Sequence, residues 1–106
     1  FEQMKLHLGP AGDVLKVLQR PWDFIFLDAD KRGLLDYYEL LVPQMPSGGI
    51  MLVDNILWSG KVVEEVAPND KDTKAILQLN AHIAKDPRVE QVILSVRDGI
   101  MMVRKR

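Results

Sequence analysis

Apolar residues along this chain alternate between two spacings, and the switches between them predict its elements. Met4-Lys5-Leu6-His7-Leu8 alternates apolar and polar positions with the period of a strand. Gly9-Pro10-Ala11-Gly12 then turns into a helix with Val14, Leu15 and Leu18 on one face, which Pro21 stops. A continuous apolar run predicts a buried strand over 23–28. After it, Leu34, Leu35, Tyr38, Leu41 and Val42 form an i, i+4, i+7 stripe, the mark of an amphipathic helix. Pro43, Pro46 and Gly48-Gly49 end that helix and lead into a second buried strand over 50–54. Asn69 or Asp70 caps a later helix with Ile76, Leu79 and Ile83 inward, and Asp86-Pro87 closes it. Val89 to Val96 and Ile100 to Arg104 are β-rich runs joined by Arg97-Asp98-Gly99, a hairpin signal. Strands alternating with helices and ending in a hairpin predict an α/β fold: a parallel sheet with helices on both faces and a reversed last strand.

Composition narrows the function classes. A chain of 106 residues, 47% hydrophobic and 27% charged, is expected to form one domain over 1–106 with a modest core. Its net charge of -1 gives no electrostatic reason to expect nucleic acid or an anionic membrane as partner. No apolar stretch approaches the roughly 20 residues that span a bilayer, and no signal peptide is visible, so a cytoplasmic location is expected. The absence of cysteine excludes disulfides and thiolate metal sites. A start at Phe1, almost inside a strand, is expected of a piece of a longer protein.

The chemistry concentrates in two short acidic segments. Asp28-Ala29-Asp30-Lys31 follows the apolar run Phe24-Ile25-Phe26-Leu27, and Asp54-Asn55 follows Ile50-Met51-Leu52-Val53. Both therefore sit just past the C-terminal end of a predicted buried strand, the edge where open α/β sheets bind ligands. Side-chain oxygens and a lysine meeting there point to a hard divalent cation with a base beside it. The simpler reading is local: Asp28 and Asp54 as caps of the turns that follow, Lys31 as a solvated first-turn residue, and Trp58 as an apolar anchor. His7 and His82 fall outside these motifs and are read as structural or surface residues.

Taken together, Asp23 to Lys31, Pro46-Ser47-Gly48-Gly49 and Asp54-Asn55-Ile56-Leu57-Trp58-Ser59-Gly60-Lys61-Val62 resemble the cation-dependent O-methyltransferases, the family typified by caffeoyl-CoA and catechol O-methyltransferases. The resemblance runs from the strand at residue 4 to the closing hairpin and implies the C-terminal part of a Rossmann-like class I methyltransferase sheet. It also implies S-adenosylmethionine as cofactor, a divalent cation (Mg²⁺, with Mn²⁺ or Ca²⁺ as alternatives) and a small hydroxylated aromatic acceptor. Carried over by position, it makes Asp28, Asp54 and Asn55 the metal ligands and assigns catalysis to Lys31, as base, together with Asp28. Ala11, Asp28 and Asp30 would line the cofactor site, and Trp58 and Ser59 would touch the acceptor. A lysine accepts a proton only after losing its own, so the base assignment requires surroundings that favour the neutral amine.

Departures from the family pattern carry their own expectations. Leu34 stands where relatives often have an aromatic residue. The glycine-rich strand-to-helix turn that holds the cofactor is absent from these 106 residues, so the segment is a partial methyltransferase domain, inactive alone. Without the strands of that missing part, the apolar edge of 24–28 would be unpaired. That edge predicts either a homodimer through it or residues 1–8 relocated beside it. The alternative from another class is a non-catalytic α/β module with an acidic cation site and an edge strand used for assembly. A receiver-like phosphoryl-transfer domain also gathers Asp and Lys at strand ends, but the terminal hairpin argues against it.

Overall fold

The computed structural model describes residues 3–57, 60, 67 and 69–106. Helix α1 (Ala11–Val17) precedes strand β1 (Phe24–Leu27); α2 (Leu34–Leu41), flanked by 3₁₀ turns at Lys31–Gly33 and Val42–Gln44, leads to β2 (Ile50–Asp54). After α3 (Lys71–Ala84) come β3 (Val89–Leu94) and β4 (Ile100–Lys105). The strands form one sheet in the order β1-β2-β4-β3. β1 pairs parallel with β2 from Phe24↔Ile50 to Leu27↔Val53, while β4 runs antiparallel to both β2 and β3. The terminal hairpin thus inserts its second strand against β2 and leaves its first at the edge. No described helix is long and apolar enough to cross a membrane.

Local chemistry sets each boundary. Asp70 is the cap of α3: its carboxylate accepts from the Thr73 N–H at 3.1 Å and from the Thr73 hydroxyl at 2.7 Å. Ile76, Leu79 and Ile83 then face inward, fully buried. In α2 the buried residues are Leu34, Tyr38 and Leu41, with Val42 continuing the stripe. Gly48, at φ 86°, makes the tight turn into β2, and its N–H donates to the Lys105 carbonyl at 2.8 Å, tying that turn to the end of β4.

The core lies on one face of the sheet. Leu27, Met51, Val53, Met101 and Val103 pack there against Leu34, Tyr38, Leu79 and Ile83. Parallel crossovers are right-handed, so the connections β1–α2–β2 and β2–α3–β3, which advance in the same direction, put both helices on that face. On the other face Phe24, Phe26 and Val92 remain 61%, 54% and 52% exposed, with Leu52 and Met102 half-buried between them.

The segment 4–8 departs from expectation. It forms no strand, and Met4, Leu6 and Leu8 are 72–85% exposed. Period-2 alternation produces a strand only where a neighbour supplies hydrogen bonds and a face to cover. β1, with β2 on one side, has no strand on the other among the described residues. Neither the described part of this segment nor any other described one pairs with that edge as a strand, although His7 and Gly9 share a groove with Phe24 to Leu27.

One buried carboxylate joins three elements. Asp86 accepts the Tyr38 hydroxyl at 2.7 Å and a bidentate pair from Arg88, Nε at 2.9 Å and Nη2 at 2.7 Å, plus the Arg88 N–H at 2.9 Å. Arg88 first, and Tyr38 after it, hold the Asp86 carboxyl well below the usual carboxylate range, against a desolvation that pushes it up. Burial and the same bond push the Tyr38 hydroxyl upward. Because the folded-state value is depressed, this stabilisation is present above the unfolded carboxylate's pKa of about 3.9 and is lost as pH falls below it. Asp86→Asn is expected to destabilise the chain by about 3 kcal/mol at neutral pH. In urea unfolding, that difference from the parent should shrink as pH falls from about 5 to about 2; a difference constant with pH would contradict the account.

Candidate active site

The two acidic segments converge because their strands are neighbours. The parallel register ends at Leu27↔Val53, and the next residues along the two strands are Asp28 and Asp54. Asp28 is exposed; Asp54, Asn55 and Lys31 are half-buried.

Asp30 shapes the first segment. Its Oδ2 accepts from the Gly33 N–H at 2.9 Å, capping the 3₁₀ turn, and its Oδ1 accepts from the Tyr37 hydroxyl at 3.1 Å. That bond, followed by desolvation, raises the Tyr37 pKa. A Cβ at Gly33 would lie 2.8 Å from Asp30 Oδ2, so a side chain there would displace the cap. The turn brings Lys31 over the exit of β2, where its Nζ donates to Asn55 Oδ1 at 3.4 Å. The cap is therefore Asp30, and the local reading of Asp28 as the capping residue does not hold.

Asn55 adopts a left-handed backbone, φ 62°, which Asn tolerates better than most residues. Its N–H donates to Asp54 Oδ1 at 2.8 Å, and its side-chain Nδ2 donates to Asp98 Oδ2 at 3.2 Å. Beyond it, the chain is held on two sides. The Ile56 and Leu57 N–H groups donate to the carbonyls of Gly99 (3.3 Å) and Asp98 (3.0 Å), while Asn80 of α3 donates to the Ile56 carbonyl at 3.0 Å. Gly99, at φ 83°, permits the approach: a Cβ there would meet Leu57 Cγ at 2.6 Å.

Lys31 and Asn55 thus touch, and Asp28 and Asp54 sit at adjacent strand ends. Ala11, the exposed first residue of α1, lines a groove with Val14, Leu18, Trp22, Phe24 and Leu27, about 350 Å³ in volume. Its neighbour Gly12 lines a second groove of about 440 Å³ with Gly33, Tyr37 and Leu40, on the side where Tyr37 meets Asp30. Trp58 and Ser59 lie outside the described residues. Tyr37 and Asp98 are additions of the structure. Asp98 belongs to the Asp-Gly hairpin signal, but its partner is 43 residues away, which no local pattern reveals.

A second group of titratable side chains, Glu39, His82 and Asp86, has ligand atoms close enough together for a metal ion. It lies by the start of β3, at the end of the sheet opposite Asp54 and Asp98. Arg88 already supplies positive charge there, bonding Glu39 at 2.8 Å as well as Asp86, and His82 pairs with Glu39.

Comparison with known proteins agrees with this architecture. Residues 2–106 match the family model described as O-methyltransferase. A probable caffeoyl-CoA O-methyltransferase 1 of Dictyostelium discoideum is 37% identical over 97% of this chain and 47% of its own length. The caffeoyl-CoA O-methyltransferase of Medicago sativa is 40% identical over 92% and 44%. Among solved structures, the O-methyltransferase from Bacillus cereus in complex with SAH superposes with a TM-score of 0.82 at 30% identity, covering 92% of this chain and 48% of that one. An SAH-bound methyltransferase of Podospora anserina gives 0.81 at 32%, covering 92% and 47%. The chain spans about half the length of the relatives it matches. With the family model covering residues 2–106, nearly all of it, this chain belongs to the O-methyltransferase family.

Proposed function

We propose that this chain is the metal-binding and catalytic part of an S-adenosylmethionine-dependent O-methyltransferase that methylates a hydroxyl of a catechol-like or phenolic acceptor. The observation that carries the reading is the Lys31–Asn55 contact at 3.4 Å beside the neighbouring strand ends Asp28 and Asp54. It unites a base and an oxygen-donor set drawn from segments more than twenty residues apart. Membership of the family and the names of the caffeoyl-CoA-methylating relatives support the reaction and the acceptor class. The SAH in two related structures supports the cofactor.

The donor set suits a hard cation: two carboxylates and one amide oxygen, without sulfur or imidazole. Asn55 Oδ1 already faces a positive charge, the Lys31 ammonium. Asp28, Asp54 and Asn55 would hold Mg²⁺, with Mn²⁺ or Ca²⁺ as alternatives, and the ion would supply Lewis acidity toward the acceptor oxygens. Lys31, once it has released its own proton to solvent, would take the hydroxyl proton as the acceptor oxygen attacks. Ala11, Asp28 and Asp30 would line the cofactor site, and Trp58 and Ser59 are assigned to the acceptor by their positions in the family motif alone. The edge of β1, open among the described residues, supports pairing with a second copy of the chain. Sedimentation velocity should then show a dimer that dissociates on dilution, and a single monomeric species across concentrations would rule this out.

Two substitutions separate ligand from base, each measured in the longest product of the gene. Asp54→Ala should weaken Mn²⁺ binding in isothermal titration by more than about 100-fold, since loss of a supporting residue alone costs 10–100-fold, and should abolish metal-dependent methyl transfer. Lys31→Met should leave Mn²⁺ affinity within a few-fold while lowering kcat by about 10²–10⁴, the range of general base catalysis. Undiminished turnover in either variant would refute its assignment.

A further inference from the structure

An asparagine offers a metal or a proton donor its oxygen only if its amide is turned the right way, and oxygen and nitrogen ends are nearly the same shape. The partners of Asn55 decide the question. On one side stands Lys31, which can only donate, 3.4 Å from Oδ1; on the other stands the carboxylate of Asp98, which can only accept, 3.2 Å from Nδ2. The turned-over amide would set Nδ2 against the Lys31 ammonium and Oδ1 against the Asp98 carboxylate, and both contacts would repel. The Asp98 backbone is fixed by the same loop, since its carbonyl accepts the Leu57 N–H at 3.0 Å and the next residue's carbonyl accepts the Ile56 N–H. The Asn55 side chain is half-buried, which strengthens its bond relative to one in water.

We propose that Asp98, in the turn between β3 and β4, is a positioning residue that locks the Asn55 amide with its oxygen toward Lys31 and the cation site. The hairpin thereby serves as the outer support of a ligand carried just past β2. This rests on the reading of Asn55 as a metal ligand. Asp98 holds the end of the amide opposite the one that Lys31 meets.

The test is isothermal titration with Mn²⁺ alone, on the full-length protein and its variants, with far-UV circular dichroism and thermal midpoints to verify folding. Asp98→Asn is expected to weaken Mn²⁺ binding about 10-fold, the lower end of the cost of disturbing a ligand's support, because an amide at 98 can donate as well as accept and no longer selects one orientation of Asn55. The decisive comparison uses Asn55→Asp, which sets two carboxylates against each other. In that background Asp98→Asn should strengthen Mn²⁺ binding several-fold, because the amide introduced by the second substitution can donate to the new carboxylate and leave that carboxylate's other oxygen toward the site. Loss of one negative charge near the ion would weaken binding in both backgrounds, so only the hydrogen bond reverses the sign. If Asp54→Ala abolishes binding but Asp98→Asn stays within twofold of the parent, or acts in the same direction in both backgrounds, the positioning role is overturned and the ligand reading stands. If the parent protein binds no Mn²⁺, or Asp54→Ala binds as tightly as the parent, both are overturned.

Discussion

Everything at the candidate site depends on the register of β2 between its two neighbours. The parallel ladder with β1 sets Asp28 beside Asp54; the antiparallel ladder with β4 sets Ile100 opposite Asp54 and so carries Asp98 and Gly99 to the same sheet edge. A slip of one residue in either pairing would turn the apolar residues of one strand onto the wrong face. Met51 and Val53, both fully buried, make such a slip expensive, because each large apolar side chain contributes about 1.5–3 kcal/mol by its burial. Hydrophobic packing in the middle of the sheet thus determines which polar groups meet at its end.

The two ends of the sheet use charge differently. At the start of β3, Asp86 is buried and its acceptor capacity is taken up by Tyr38 and Arg88, so the cluster acts as a clamp between α2, the turn after α3 and β3. At the exits of β1 and β2 the carboxylates are exposed or half-buried, and the loop is held mainly through backbone bonds to the hairpin. A satisfied buried carboxylate stabilises the fold, whereas a carboxylate accessible to solvent remains open to a ligand.

Much of this was legible in the sequence wherever the information was local. β2 falls on 50–54 as its apolar run predicts; Asp70 caps α3; Leu34, Tyr38 and Leu41 form the inward stripe of α2. The segment 4–8 shows the limit of that logic, because alternation states which residues a strand would bury and not whether a neighbouring strand exists. Asp98 shows the other limit. Its Asp-Gly signal predicts the hairpin, but its side chain bonds a residue 43 positions earlier, an outcome of sheet order that no short pattern encodes. Asp30 lies between the two: it stands in a motif read for cofactor contact, and its most evident physical role is to cap the turn that aims Lys31.

The left-handed backbone of Asn55 also constrains how this position can change over time. A φ of 62° admits glycine freely and asparagine or aspartate at modest cost, while branched or bulky residues are strongly disfavoured. Two of those three tolerated residues carry a side-chain oxygen. Drift at this position is therefore filtered by backbone sterics before any selection on chemistry acts, and the filter retains the residue types that place an oxygen donor beside Lys31.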